Sequence, residues 1–303
     1  MLWAMSGRLP IPARAALSAA ITVAAFGACE IALRLVDPGW SGLYEGDPHS
    51  HWTLRSGLNE SAVPHPEEGS TFSVQTNALG LRDGALPDEK PWVLALGCST
   101  TFGWGVDAQA AWPEQLEHLL GVEVINAGVP GHSSHQGLRF AMPLLERRPS
   151  AVIFAWGLRD GDAASAPDSE RVSPPWVERL RLTQELRKAL PRRAKGPQAT
   201  VRVPPLAFGA NLATLIDAAA SAGAAVVLLD MTVTEAHSEA LYGAGPAVVS
   251  PAFQDGDRFG VDSIHFTAQG NRTIAEQLAP VLRGVLSGAE PPTPAPPERP
   301  QTP

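Results

Sequence analysis

Ser99 stands directly after an apolar run in "LALGCSTTFGWGV" (Leu94 to Val106), between a cysteine and two threonines. A hydroxyl at the end of a buried strand, ahead of a helix, lies near amides that are free to donate to an anion. Such a serine is either a helix cap or a nucleophile, and a nucleophile needs a base. "VDSIHFTAQGN" offers one: Asp262 and His265, three residues apart and just before the last helical segment. That spacing can set a carboxylate on one imidazole nitrogen and leave the other to accept the Ser99 proton. The chemistry would be acyl transfer through a serine ester. The stretch is not the G-x-S-x-G elbow, because Thr101 occupies the place of its second glycine.

These groups need a frame to bring them together. "WVLAL" (Trp92 to Leu96), "VEVINA" (Val122 to Ala127), "AVIFAW" (Ala151 to Trp156) and "AAVVLLDM" (Ala224 to Met231) read as strands. Between and after them, "WPEQLEHLL" (Trp112 to Leu120), "SSHQGLRFAMPLLE" (Ser133 to Glu146), "FGANLATLIDAAASAG" (Phe208 to Gly223) and "TAQGNRTIAEQLAPVLRGVL" (Thr267 to Leu286) read as helices. Strands that are apolar throughout and alternate with helices predict an α/β fold, a three-layer α/β/α sandwich with a parallel sheet of four or five strands. Sites in such sheets form at the carboxyl ends of strands, so the loops after Leu96, Ala127 and Trp156 carry the interest.

The rest of the chain sets limits. Its 303 residues are 44% apolar, enough for a sizeable core, and a net charge of -8 argues against a nucleic-acid partner. Cys29 and Cys98 are too few for a disulfide framework or a thiolate metal site. His132 and His135 lack a third ligand and are expected at a pocket mouth, while His49 to His51 are expected to be solvated. The basic run Arg187 to Lys195 follows an amphipathic segment beginning at Trp176 and reads as a solvated face.

At the N-terminus, Arg8 and Arg14 precede an uncharged run from Ala15 to Cys29 that continues to Val36. An uncleaved signal-anchor, a cleaved signal peptide and a lipoprotein with its lipobox ending at Cys29 are the readings, the first preferred. The domains then read as 1–14 cytoplasmic, 15–36 transmembrane helix, 37–90 exported stalk and irregular lead-in, 91–287 catalytic domain, and 288–303 proline-rich disordered tail. A strand is expected at Thr71 to Asn77, and the catalytic part is expected outside the cytoplasm, which is the periplasm if the cell is Gram-negative.

Four motifs in order resemble the SGNH/GDSL hydrolase family in its membrane-anchored, exported form. They are "GCSTTFGWGV", "NAGVPGHSSHQ", "GLRD" (Gly157 to Asp160) and "DSIH". "TNALGLRD" (Thr76 to Asp83) and an N-terminal helix ending in E-x-x-x-R are further points of likeness. The resemblance implies Ser99 as nucleophile, His265 as base and Asp262 as its partner. It implies an oxyanion hole from the amides of Ser99 and Gly131. Cys98 replaces the family's Asp, and Arg159 replaces its Asn, so the third oxyanion donor would be Arg159. The expected activity is hydrolysis of an acyl ester, acetyl included, with no metal or organic cofactor. Transfer of the acyl group to a polysaccharide hydroxyl, and a catalytically silent glycan-binding protein, are the alternatives. The partners implied are an ester substrate, glycan-linked in one version, and the membrane. The insertion from Gly161 to about Pro205 is expected to act as a lid or specificity element.

Overall fold

The computed structural model describes residues 10–36, 42–65, 67, 69–82, 84–87, 89–170, 180, 182–183, 186 and 200–288. Arg8, Trp176, the basic run Arg187 to Lys195 and the tail from residue 289 lie outside the described residues, as does most of the expected lid. Helix α1 (Ile11–Val36) comes first, then strands β1 (Tyr44–Asp47), β2 (His51–Leu54), β3 (Asn59–Pro64) and β4 (Thr71–Gln75). Next come β5 (Trp92–Gly97), helix α2 (Ser99–Phe102), α3 (Trp112–Leu120), β6 (Glu123–Gly128), α4 (Ser134–Leu145) and β7 (Ala151–Ala155). The short strands β8 (Ala163–Ala164) and β9 (Thr200–Val201) follow. The chain continues with α5 (Pro205–Ser221), β10 (Ala225–Leu229), α6 (Glu235–Tyr242), β11 (Ala247–Val249) and α7 (Ala268–Leu286).

Five strands form one parallel sheet in the order β11-β10-β7-β5-β6. Alternate residues of each strand face opposite sides, as the two-residue period requires. Leu94, Leu96, Val152, Phe154 and Leu228 pack on one side with Phe208, Leu212 and Leu215 of α5 and Leu144 of α4. Val93, Ala95, Ile153, Val227 and Leu229 pack on the other with Trp112 and Leu116 of α3 and Ile274, Leu278 and Leu282 of α7. This is the three-layer α/β/α sandwich. At about 1.5–3 kcal/mol for each large side chain fully buried, the two clusters supply the main force that closes it.

Helix α1 belongs to a separate compact unit. It takes in Arg14, so the helix starts earlier than the expected boundary at residue 15. Residues 11–35 are apolar enough to cross a membrane and none of the span is buried in protein. At 1.5 Å per residue, 25 residues reach about 37 Å, more than a hydrocarbon core of about 30 Å. Glu30 and Arg34 pair with each other at 2.7 Å, which lowers the cost of both charges near an interface.

The expected stalk from residue 37 is in its described part neither stalk-like nor irregular. Strands β1 and β2 pair antiparallel, as do β3 and β4. Leu43, Leu54, Leu58, Val63, Phe72 and Val74 share a buried cluster with Phe102, Trp104 and Val129 of the main domain. The segment "TNALGLRD" then makes a tight loop. Asn77 Oδ1 accepts from the N–H groups of Leu79 (2.8 Å) and Leu81 (3.0 Å), and its Nδ2 donates to Gly84 O at 2.6 Å.

That loop delivers Arg82, a fully buried guanidinium, to the turn after α2. Its Nη1 donates to Phe102 O (2.6 Å) and Gly103 O (2.8 Å); its Nη2 donates to Ser73 O (2.8 Å) and Val106 O (2.7 Å). The same cation lies 4.3 Å from the Phe102 ring centroid. Burial pulls its pKa down to about 10, with Asp107 and Glu114 acting the other way. Four carbonyls around α2 are thus gathered by one fork of donors. Arg82→Met removes all four donations and leaves Gly103 O only Val106 N–H and Phe102 O only the long contact from Asn126 Nδ2, so chemical denaturation should show a loss of about 2–5 kcal/mol. Arg82→Lys, with its donors at a single point, should recover only part of it.

Candidate active site

Ser99 opens α2 at the carboxyl end of β5, and its neighbourhood is shaped by two glycines. A side chain on Gly97 would run into Thr101 Oγ1 and lie 2.9 Å from Ala155 O. One on Gly128 would lie 2.8 Å from Phe102 Cα. Both strand ends therefore stay bare so that α2 can settle on them. Cys98 is buried, 3.4 Å from Thr100 Oγ1. Ser99 O accepts from the N–H groups of Gly103 (3.1 Å) and Trp104 (3.0 Å).

His265 reaches Ser99 from the far end of the chain. The Ser99 hydroxyl donates to His265 Nε2 at 2.9 Å, and His265 Nδ1–H donates to Asp262 Oδ2 at 2.6 Å. Asp262 Oδ1 accepts from the N–H groups of Ile264 (2.9 Å) and His265 (3.1 Å). The turn between them places Ser263 at φ +54°. Two residues on, Thr267 caps α7 by accepting from Gly270 N–H at 3.2 Å. Asn271 of α7 then accepts from Trp112 N–H at 3.0 Å and donates to Phe266 O at 3.1 Å, which locks the start of α7 to α3.

The electrostatics suit a neutral imidazole beside a charged carboxylate. Burial lowers the pKa of His265; Asp262 acts to raise it and the charge of Arg159 to lower it. Burial acts to raise that of Asp262, but the hydrogen bonds from His265, first its side chain and then its backbone with that of Ile264, prevail and hold the carboxyl below its usual range. A neutral imidazole at hydrogen-bonding distance can take a proton from a hydroxyl, and a carboxylate on its far side can steady the cation that would result.

Gly131 lies in the turn Val129–His132, closed by His132 N–H donating to Val129 O at 3.1 Å. Pro130 at the second position and Gly131 at φ +84° in the third make it a type II turn, which needs the left-handed backbone there. Among the described residues, neither Ser99 N–H nor Gly131 N–H meets an acceptor. Gly131 O accepts from Arg202 Nη1 at 2.8 Å. Arg202 is itself clamped, its Nη2 donating to Asp168 Oδ2 at 2.8 Å and Gln136 Oε1 at 2.6 Å, and Asp168 also accepts from Ser133 Oγ at 2.7 Å.

In the third loop Gly157, at φ +123°, presses on Thr232. Asp160 is fully buried and points away from chemistry. It accepts from Ser134 N–H (2.9 Å), Ser134 Oγ (2.5 Å) and Gly157 N–H (3.1 Å), tying this loop to α4. Burial pushes its carboxyl above the usual range, against the pull of the Ser134 and Gly157 hydrogen bonds. Arg159 is part-exposed; its Nη1 donates to Asp162 Oδ2 at 3.3 Å, and its Nε is buried without a hydrogen-bond partner among the described residues.

His132 departs from the expected place at a pocket mouth. It is fully buried, and its Nε2–H donates to Trp52 O at 2.8 Å. His135 instead contacts Arg139 near the surface. Arg202 and Asp168 were not singled out by sequence reasoning. An arginine alone among the apolar residues of "TVRVPP" was the available signal, since a cation there must find a buried anion.

The model of the GDSL-like lipase/acylhydrolase family matches residues 95–273, more than half of the chain. Among solved structures, the crystal structure of TesA is similar over 64% of this chain and 99% of that one, at 23% identity and a TM-score of 0.46. The psychrotrophic esterase EstA from Pseudoalteromonas sp., inhibited by monoethylphosphonate, is similar over 65% and 100%, at 16% identity and a TM-score of 0.47. A GDSL-like lipase from Bacteroides thetaiotaomicron is similar over 67% and 93%, at 14% identity and a TM-score of 0.41. No curated protein matches the chain. The family match runs from the end of β5 into α7 and so takes in Ser99, Gly131, Gly157 to Asp160, Asp262 and His265: the chain belongs to the GDSL-like lipase/acylhydrolase family, whose members are hydrolases acting on ester bonds.

Proposed function

We propose that Ser99, His265 and Asp262 form the triad of an exported, membrane-anchored serine esterase. The observation that carries the reading is the unbroken chain of hydrogen bonds, Ser99 Oγ to His265 Nε2 at 2.9 Å and His265 Nδ1 to Asp262 Oδ2 at 2.6 Å. Ser99 Oγ attacks the ester carbonyl as its proton passes to His265 Nε2, and Asp262 steadies the imidazolium. The tetrahedral intermediate collapses, the C–O bond to the alcohol breaks, and His265 returns the proton to the leaving oxygen. Water, deprotonated by the same nitrogen, then releases the acid and restores Ser99.

The N–H groups of Ser99 and Gly131 receive the oxyanion, and that neither meets an acceptor among the described residues supports that role. Each such donor is worth about 10²–10³ in rate. Arg159 is the third partner, where its positive charge favours the anion; its influence on His265 and its Nε, without a partner among the described residues, support a place beside the site. Helix α1 supports the anchor, and Arg14 near its start, with Arg8 ahead of it, supports a catalytic domain outside the cytoplasm. The esters taken include short acyl groups such as acetyl.

A fluorophosphonate probe should label the wild-type protein and not Ser99→Ala. Hydrolysis of p-nitrophenyl acetate should fall on the order of 10³-fold or more in Ser99→Ala and His265→Ala. Labelling that survives in Ser99→Ala would remove the assignment of the nucleophile.

The pH profile offers a second check. His265 acts in its neutral form, and a lowered pKa keeps it neutral further into acid. The acid limb of kcat/KM should therefore fall below the ordinary histidine value. Arg159→Gln removes a cation that opposes protonation of His265, so the limb should move to higher pH, as measured in parallel profiles.

A further inference from the structure

Strand β2 reaches the Gly131 turn through one side chain. Trp52 Nε1–H donates to Pro130 O at 3.2 Å across 78 positions of sequence. The same indole also backs Gly131, where an added Cβ would lie 3.2 Å from Trp52 Cζ2. The main-chain oxygen of Trp52 accepts from His132 Nε2, and the two rings meet edge to face at 5.6 Å. Burial holds the His132 pKa down to about 4, so the imidazole stays neutral at neutral pH. Trp52 thus holds the turn from two sides.

The peptide between Pro130 and Gly131 is trans, so the Gly131 N–H points opposite to the Pro130 carbonyl. A donor fixed on that carbonyl sets the plane of the amide and hence the direction of its N–H. It also withdraws electron density from the amide, which makes the N–H a stronger donor. The next peptide is pinned separately by Arg202 on Gly131 O.

We infer that Trp52 is a positioning residue for the reaction, aiming and strengthening the Gly131 N–H that receives the oxyanion. The inference rests on the triad reading above. It also gives the lead-in strands, which lie ahead of the matched residues 95–273, a part in turnover.

Trp52→Phe keeps an aromatic ring on Gly131 and removes only the N–H. In the full-length protein, kcat for p-nitrophenyl acetate should fall about 3- to 10-fold, the worth of one hydrogen bond, with KM unchanged. The Ki of a trifluoromethyl ketone, whose adduct carries a negative oxygen, should rise by the same factor. The thermal midpoint and the labelled fraction should stay as in wild type. If Trp52→Phe does not fold, benzothienylalanine at position 52, a bicycle of the same shape without the N–H, should give the same split. An unchanged kcat and Ki in a folded variant, or a change confined to KM, would overturn the inference alone. Wild-type protein without Ser99-dependent turnover would instead overturn the triad reading, and this inference with it.

Discussion

The contact between the Ser99 hydroxyl and the His265 imidazole is what the proposed reaction rests on, and the two groups must meet from 166 positions apart. Sheet register meets half of that demand. Gly97 at the end of β5 pairs with Gly128 on β6 and Ala155 on β7, so three loops leave the same rim together. The other half comes from α7, which buries Ile274, Leu278 and Leu282 against the opposite face and so fixes where the segment before it emerges. Core packing on one side of the sheet and backbone pairing within it therefore combine to define one contact. A shift of either by a single residue would separate hydroxyl and imidazole.

Around that contact the protein spends charge inside its core. Arg82 is bound by four carbonyls, Arg202 is clamped by Asp168 and Gln136, and Asp160 accepts from Ser134 and Gly157. Buried ions add little net stability, because desolvation cancels much of what pairing returns. What they supply is direction: a carboxylate or guanidinium held by several partners at once accepts few alternative geometries. The three groups hold, respectively, the turn after Ser99, the turn at Gly131 and the loop carrying Arg159.

Much of this could be read from the chain before any coordinates. The strands β5, β7 and β10 are short uninterrupted apolar runs and β6 is broken only by Asn126 after its first residue, a pattern that suits a sheet covered on both faces, and the observed ends fall within two residues of those expected. Ser99, Asp262 and His265 stood out because polar groups at a strand end or helix start lack a packing reason. β11 was not legible, being three residues set among Gly, Pro and Ser. The lead-in failed for a different reason. Only β4 alternates, and the strand expected at Thr71 to Asn77 is found there at Thr71–Gln75; β1 to β3 are short, separated by turn residues and covered by the main domain, so no local period marks them. Trp52 and Arg202 act through contacts distant in sequence, which composition and spacing do not encode.

The covering of Phe102, Trp104 and Val129 by β1 to β4 bears on where this protein can be cut. A fragment begun at the edge of the family segment would keep all the reacting groups yet present those three side chains to water as one greasy face. It would also strip the carbonyls around Arg82 of their donor. Such a piece would aggregate rather than hydrolyse anything. A piece that keeps those side chains covered has to start ahead of Leu43 and retain both hairpins.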